Sequence, residues 1–183
     1  MQYPAHTWVD PRIEVKISGI SGRGLFVSAD ILEGQTVMIW GGELIPKAAF
    51  QANESAYREQ TLVPIDDETY IGLPADDTTE SIDEYLNHSC DPTAWLTDEV
   101  TIVARRHIKA GEEITVDCAT WDTDADWPYS EDGRCYCQSP VCRGVLTPED
   151  WMRPELQERY RGHFSPYIQA KIDAAARSPS STA

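Results

Sequence analysis

The chain has 183 residues, and its 31 acidic residues against 15 Lys and Arg give a formal charge of -16 at pH 7. This excess argues against a sequence-independent nucleic-acid binder, because such proteins gain affinity by neutralising phosphates with Lys and Arg. It favours a basic partner instead. The hydrophobic share of 41%, with six Trp and eight Tyr, is that of a folded chain with a real core, and the length fits one domain.

Neither export nor membrane insertion is predicted. Residues 1–8 lack a basic start and an apolar stretch, and no uncharged apolar run approaches the roughly 18 residues that cross a bilayer. We therefore expect a cytoplasmic protein without a membrane partner, in a compartment that keeps thiols reduced. The five Cys are accordingly interpreted first as metal ligands, reactive groups or buried small side chains, and only second as disulfides.

Short apolar runs separated by glycine turns predict a mostly β first half and middle. Strands are predicted at residues 13–17, 25–27, 37–40, 101–104 and 113–116, the last two flanking a turn at 109–112. Alanines, Phe50 and Tyr57 after a proline predict one short helix over residues 46–58.

The rest of the chain divides into an acidic run and a helical end. Residues 66–84 are densely acidic, which indicates either a solvated loop face or a rim for a basic substrate. Residues 148–176 have helical composition, and we expect Pro166 to divide them into two helices or to kink them. Residues 177–183 are Ser-rich and are predicted to form a frayed tail.

Three cysteines lie within eight residues: Cys135, Cys137 and Cys142 form a CxCx4C segment. Such close thiols cannot easily meet disulfide geometry among themselves, whereas a structural zinc site uses four thiolates or imidazoles in a tetrahedron. The fourth ligand must come from elsewhere, with Cys90, Cys118 or a histidine as candidates. A cluster of unligated thiols is the alternative.

Five motifs in a fixed order resemble the SET-domain protein-lysine methyltransferases with a post-SET zinc segment. The resemblance covers roughly residues 18 to 146. The motifs are the sequence Gly-Arg-Gly-Leu-Phe from residue 22, Gly-Glu-Leu-Ile from 42, Asn-His-Ser-Cys-Asp-Pro from 87, Gly-Glu-Glu-Ile-Thr-Val-Asp from 111, and CxCx4C followed by Arg-Gly.

The resemblance implies a mainly β fold with peripheral helices, in which small curved sheets surround a pseudoknot-like crossing of the Asn87 and Asp117 segments. It implies a SET-like domain at 12–120, a zinc-stapled post-SET segment at 133–146, a C-terminal helical extension at 147–176 and a disordered tail at 177–183.

S-adenosylmethionine and zinc are the implied cofactors. Ser21, Gly22 and Arg23 match the turn whose backbone meets the methyl donor, and Asn87 and His88 match the pair that anchors its amino-acid and adenine parts. Trp40 takes the place of a tyrosine near the donor. The implied zinc ligands are Cys90, Cys135, Cys137 and Cys142. The alternative interpretations are a simple glycine hairpin, buried hydrogen-bonding groups at Asn87 and His88, and a core position for Trp40.

Methyl transfer from a sulfonium to an amine is an in-line displacement and needs a neutral amine. Because a free lysine has a pKa of about 10.4, an aromatic channel must disfavour its charge while acidic groups at the mouth attract it. The candidate channel or rim aromatics are Tyr70, Tyr85, Trp121, Trp127 and Tyr129.

Cys118 departs from the family pattern, which usually has a tyrosine after the Asp117 position. A thiol is a weaker hydrogen-bond partner than a phenol and fills less of an aromatic wall. Three possibilities follow: a nearby tyrosine such as Tyr85 substitutes, the pocket accepts a different nucleophile, or transfer is lost. We take Cys118 and Tyr85 as the candidate catalytic residues, with a buried small hydrophobe as the alternative for Cys118.

The resulting hypothesis is an S-adenosylmethionine-dependent N-methyltransferase that acts on a lysine side chain in a basic protein segment. One alternative is a small-molecule methyltransferase of specialised metabolism, whose substrate is an amine. The other is an inactive module that binds S-adenosylmethionine and zinc and works through partner binding.

Overall fold

The computed structural model describes residues 3–123 and 133–177. Within these two stretches the chain forms eleven strands, three α-helices and several short 3-10 turns. The strands are β1 (Trp8–Val9), β2 (Ile13–Ile17), β3 (Arg23–Val27), β4 (Thr36–Ile39), β5 (Glu43–Pro46), β6 (Val63–Pro64), β7 (Thr69–Gly72), β8 (Asn87–His88), β9 (Ala94–Leu96), β10 (Thr101–Ala104) and β11 (Glu113–Val116). The helices are α1 (Lys47–Ala52), α2 (Pro154–Arg159) and α3 (Pro166–Arg177). The predicted fold class, mainly β with peripheral helices, is confirmed.

The first sheet carries much of the main core. Its strand order is β1-β4-β10-β9, with antiparallel pairing throughout. Met38 pairs with Ile102, and Ile102 pairs with Leu96, so three fully buried side chains lie in one row across the sheet. Burial of this apolar area is the main force that holds the sheet against the rest of the domain.

The second sheet, ordered β2-β3-β11-β8, positions the candidate site. Its last pair is parallel: Thr115 is the register partner of Asn87 and Val116 that of His88. This pairing lays the segment that begins at Asn87 beside the segment that leads to Asp117. Two motifs that are 30 residues apart in sequence therefore share one edge of the sheet.

The third sheet, ordered β5-β7-β6, is flanked by α1. The predicted helix over residues 46–58 is too long, because α1 ends at Ala52. Asn53 leaves the helical region with φ -157°, in keeping with the tendency of Asn side chains to compete for backbone hydrogen bonds and end helices. A 3-10 turn at Glu54–Ala56 follows, and Tyr57 then forms a β-bridge with Pro74.

The predicted strands at 101–104 and 113–116 are present as β10 and β11, but they do not pair with each other. β10 lies in the first sheet and β11 in the second. The connection between them crosses over, with a bridge between Ile31 and Ile108 and a hydrogen bond of 2.7 Å from Gly111 N to Val27 O. A turn signal alone does not show which strands it joins.

The C-terminal helices form a second apolar cluster of their own. Pro166 begins α3, so the predicted division of this stretch into two helices is confirmed. The cluster contains Leu156, Tyr160, Phe164, Tyr167 and Ile168, with the Trp95 ring stacked on His163 at a centroid distance of 3.5 Å. No helix in the described residues is long and apolar enough to cross a membrane. Arg177 ends α3, and the rest of the predicted tail lies outside the described residues.

Candidate zinc cluster and cofactor cavity

Four thiols lie together beside the second sheet. The Sγ atoms of Cys90, Cys135, Cys137 and Cys142 are all within 4.8 Å of one another. The distance between the Cys90 and Cys135 sulfurs is 3.8 Å, which matches the edge of about 3.8 Å for a tetrahedron with zinc–sulfur bonds of about 2.3 Å. These are the four predicted ligands, and Cys118 is not among them.

The backbone around the thiols is arranged for thiolates. Arg143 N donates to Cys90 Sγ at 3.3 Å, and Gly144 N donates to Cys142 Sγ at 3.4 Å. Burial raises the pKa of Cys90 to about 12, so this thiol needs a cation beside it to carry its negative charge. The donor set and its geometry fit a structural zinc ion, which would fasten the cysteine segment to the body of the fold.

A cavity of about 420 Å3 lies between the cysteine segment and the second sheet. Its volume is within the usual range of small-molecule sites. The cysteine segment contributes Arg134, Cys135, Tyr136 and Leu146 to its lining. The other lining residues come from the body of the fold: Ile20, Ser21, Glu59, Gln60, Glu84, Leu86, Asn87, His88, Val116, Cys118 and Trp121. The cavity therefore brings the predicted cofactor residues Ser21, Asn87 and His88 together with Cys118.

The Asn87 side chain fixes the turn that precedes β3. Its amide nitrogen donates to Arg23 O at 2.9 Å, to Ser21 O at 3.3 Å and to Glu113 Oε1 at 2.7 Å. Gly24 permits this approach, because a Cβ at that position would lie 2.1 Å from Glu113 Oε1. The predicted residue Gly22 has φ +44°, a conformation that glycine adopts readily.

The His88 side chain is held between two other parts of the site. Its Nδ1 accepts a hydrogen bond of 3.2 Å from Cys118 N, and its Nε2 lies 3.3 Å from Cys90 Sγ. Because Nδ1 accepts, Nε2 carries the hydrogen and donates to the sulfur. Burial lowers the pKa of His88 to about 4, so the ring is neutral. Both ring nitrogens are thus engaged by protein atoms.

Cys118 lies in the cavity wall with 7% of its surface exposed. It begins a 3-10 turn, Cys118–Thr120, that the Asp117 carboxylate caps by accepting from Ala119 N at 3.1 Å. Burial raises the pKa of the Cys118 thiol, and the nearby charges of Asp117 and Asp122 raise it further. The thiol is therefore protonated at neutral pH and is poorly suited to act as a nucleophile.

Four predicted site residues, Gly22, Arg23, Trp40 and Tyr85, are not in the lining of this cavity. Trp40 is in the main core with 3% of its surface exposed, and its ring contacts Trp121 at a centroid distance of 5.0 Å. Tyr85 lines a second cavity of about 330 Å3 together with Arg23. The Arg23 guanidinium lies over the Tyr85 ring at 3.9 Å and donates to its hydroxyl.

Among the candidate channel aromatics, Trp121 lines the cavity. Tyr70, in β7 of the third sheet, contacts the Phe50 ring of α1 and does not line the cavity. Trp127 and Tyr129 lie outside the described residues. Tyr136, which sequence reasoning did not single out, supplies a second aromatic ring and is 52% exposed. Its position between two thiol ligands was the signal that could have identified it.

The acidic run at 66–84 is only partly a solvated face. Glu84 lines both cavities, whereas Asp83 is buried and accepts from Thr7 Oγ1 at 2.7 Å. Asp67 accepts from Tyr167 at 3.0 Å and pairs with Lys171, so it fastens α3 to the third sheet. Part of the acidic charge therefore has a structural role.

The chain belongs to the SET domain family, whose signature matches residues 22–119. The chain is 28% identical over 145 residues to a protein of Candida albicans named histone-lysine N-methyltransferase, H3 lysine-36 specific. It is 30% identical over 142 residues to histone-lysine N-methyltransferase ATX2 of Arabidopsis thaliana. It is 31% identical over 148 residues to histone-lysine N-methyltransferase set1 of Dictyostelium discoideum.

These alignments cover 72%, 70% and 74% of this chain, respectively. They cover 16%, 12% and 9% of the relatives, so the chain spans a small part of the length of each of these proteins.

Proposed function

We propose that the chain is an S-adenosylmethionine-dependent methyltransferase that acts on a lysine side chain in a basic protein segment. Support comes from membership in the SET domain family and from relatives whose names state histone-lysine methylation. The formal charge of -16 agrees with a basic partner. Of the three relatives only the Candida albicans protein has a name that specifies a lysine, H3 lysine-36, so we propose a class of substrate and no particular residue.

The observation that carries the proposal is the cavity that joins three motifs. The turn at Ser21, the Asn87–His88 strand and Cys118 all line it, together with residues of the cysteine segment. S-adenosylmethionine, when bound, would supply a methyl group on a positively charged sulfur. Asn87 would hold the shape of its binding turn through the amide contacts to Ser21 O and Arg23 O.

The acceptor side of the cavity suits an amine that arrives charged and reacts neutral. Glu59 and Glu84 in the lining attract a cationic lysine, although Arg134 also lines the cavity and Glu84 lies 3.7 Å from the Arg58 guanidinium. Val116 and Trp121 are apolar surfaces that exclude water from the amine, which favours its neutral form. Trp121 is held by Trp40, so the aromatic wall is backed by the main core. Orientation and water exclusion are thereby provided by fixed side chains.

Cys118 would contribute shape rather than a proton acceptor. Its thiol is small and protonated, and no phenol stands at this position of the wall. We propose that Trp121 supplies the aromatic surface beside the acceptor and that Cys118 leaves room for it. Cys118→Tyr would add a hydroxyl at the wall, and a rise in lysine methylation is expected if the family's phenol mechanism applies to this cavity.

The test has two stages. Calorimetric titration with S-adenosylmethionine should show one site per chain, and its absence would remove the basis for the proposal. Incubation with methyl-labelled S-adenosylmethionine and a panel of lysine-rich proteins and free amines then identifies the acceptor. Label on small amines alone would support a small-molecule enzyme, and binding without transfer to any substrate would support an inactive module. A cytoplasmic location stays a prediction.

A further inference from the structure

Arg143 connects the cysteine segment to the interior of the SET body. Its Nη1 donates to Asp117 Oδ2 at 2.6 Å and its Nη2 to Asp117 Oδ1 at 2.8 Å, a two-pronged contact with one carboxylate. The Arg143 side chain is 5% exposed and that of Asp117 is 0% exposed. A buried charge pair of this kind is rigid, because breaking it leaves a charge uncompensated in a medium of low polarity.

The Asp117 carboxylate in turn determines how Cys118 is presented. It accepts from Ala119 N at 3.1 Å and so caps the turn that begins at Cys118. Tyr160 of the C-terminal cluster donates to the same carboxylate at 2.9 Å. Asp117 is therefore held in one orientation, and the backbone of its neighbour Cys118 is held with it.

A second path connects the same two regions. Arg143 N donates to Cys90 Sγ, and His88 lies between Cys90 Sγ and Cys118 N. Two sets of contacts therefore join the thiol cluster to Cys118: one runs through His88, and the other runs through the Arg143 side chain and Asp117. Loss of the Arg143 side chain would remove the Asp117 contact and leave the backbone path through Cys90 and His88 in place, so that Cys118 would be held on one side only while the four thiols stay together.

We propose that Arg143 is a positioning residue that makes the shape of the cofactor cavity depend on the folded cysteine segment. The inference rests on the proposed function, since it concerns the binding of S-adenosylmethionine in that cavity. Arg143 acts through Asp117 on the wall at Cys118, while the metal ligands act on the segment itself. Zinc binding and cavity shape can then be separated by mutation.

Asp150 provides a matched control. It accepts from Arg143 Nε at 2.7 Å and is also buried, but the structure shows no hydrogen bond between Asp150 and the wall at Cys118 among the described residues. Asp150→Asn therefore loosens the same guanidinium without removing the Asp117 contact. Because Asp117 also accepts from Ala119 N and Tyr160, the comparison is made on the arginine: the positioning role predicts that Arg143→Gln weakens cofactor binding as Asp117→Asn does, whereas a purely structural role predicts an effect as small as that of Asp150→Asn.

The experiment compares the full chain with four variants: Arg143→Gln, Arg143→Lys, Asp117→Asn and Asp150→Asn. Zinc content is measured by elemental analysis and the dissociation constant for S-adenosylmethionine by calorimetry. Arg143→Gln and Asp117→Asn should keep one zinc per chain yet weaken binding about tenfold or more, as expected when binding groups are misplaced. Arg143→Lys should be intermediate, because Lys keeps the charge and loses the planar fork. Asp150→Asn should stay within about twofold of the wild type.

The double variant Arg143→Gln with Asp117→Asn completes the test, since residues acting as one unit are not additive. We expect it to bind no more weakly than either single variant. Unchanged affinity in Arg143→Gln, equal losses in Asp117→Asn and Asp150→Asn, or loss of zinc from Arg143→Lys would each overturn the positioning role. None of these outcomes contradicts the proposed function. That function fails separately if the wild-type chain binds no S-adenosylmethionine.

Discussion

The backbone N–H of Cys118 donates a hydrogen bond of 3.2 Å to Nδ1 of His88. This contact joins two motifs that the parallel pair of β8 and β11 brings side by side. Because the other ring nitrogen faces Cys90 Sγ at 3.3 Å, the His88 side chain supports the cavity wall and the thiol cluster. A hydrogen bond from His88 to a bound cofactor would therefore come from its backbone.

Replacing His88 by Leu should reduce the stability of the fold. The substitution leaves Cys118 N as a buried donor without its acceptor, which costs about 1–3 kcal/mol in the free energy of unfolding. Denaturant titration of the zinc-loaded protein measures the change. His107→Leu is the control, because this histidine is partly exposed and pairs with Asp30 at the surface. Equal losses in the two variants would contradict the assigned role of His88.

Zinc release should separate the five cysteines into two classes. Replacing Cys90, Cys135, Cys137 or Cys142 by Ser removes one of the four convergent thiols and should release the metal and destabilise the cysteine segment. Cys118→Ser should keep one zinc per chain, because its sulfur is outside the cluster. Elemental analysis after gel filtration makes the comparison. Loss of zinc from Cys118→Ser would refute the ligand assignment.

The Cys118 thiol should react slowly with alkylating agents in the folded protein. Burial raises its pKa well above the ordinary value, so little of the thiol is in the reactive thiolate form at pH 7. The thiolate fraction, and with it the labelling rate, should increase only at a pH above the ordinary pKa of a cysteine. Iodoacetamide labelling of the Cys118 peptide, followed by mass spectrometry across pH, measures this. Denatured protein is the control, and the pH dependence of its labelling should follow the ordinary pKa of a cysteine thiol. Rapid labelling of folded protein at pH 7 would show that the thiol is not protected.

Gly24→Ala should weaken the binding of S-adenosylmethionine. The added Cβ would lie 2.1 Å from Glu113 Oε1 and 3.0 Å from Asn87 Nδ2, so it displaces the side chains that hold the Ser21 turn. Gly19→Ala is a matched control, since no atom lies within 4 Å of its added Cβ. We expect a loss of affinity of about tenfold for Gly24→Ala and little change for Gly19→Ala. Calorimetry on both variants decides, and equal affinities would contradict the role of this close approach.

Much of the fold could be predicted from local signals. Pro166 marks the start of α3 because proline suits a first helical turn and not an interior. The four-thiol cluster follows from residue type and spacing together with the family resemblance. The extent of α1 was not predictable in the same way, since the helix ends at Ala52 although Ala56 and Tyr57 further along have the composition on which the longer helix was predicted.

The parts of the site that depend on tertiary contacts were not predictable. Nothing in the sequence indicates that Arg143 reaches Asp117 and Asp150 at once, because these residues are distant in sequence or separated by turns. Trp40 was expected near the methyl donor, yet it is buried against Trp121, and this depends on tertiary packing. A motif indicates that a residue takes part in a site, and the fold decides which atom it presents.

The fate of the methyl group distinguishes protein-lysine methylation from the alternatives. The full chain, loaded with zinc, is incubated with methyl-labelled S-adenosylmethionine, free amines and a basic, lysine-rich protein such as a histone, and the products are mapped by mass spectrometry. We expect label on the side-chain nitrogen of a lysine in the protein, with less label from Gly24→Ala and Arg143→Gln. Label confined to the free amines, or no transfer by a chain that binds S-adenosylmethionine, would contradict the proposed lysine methylation.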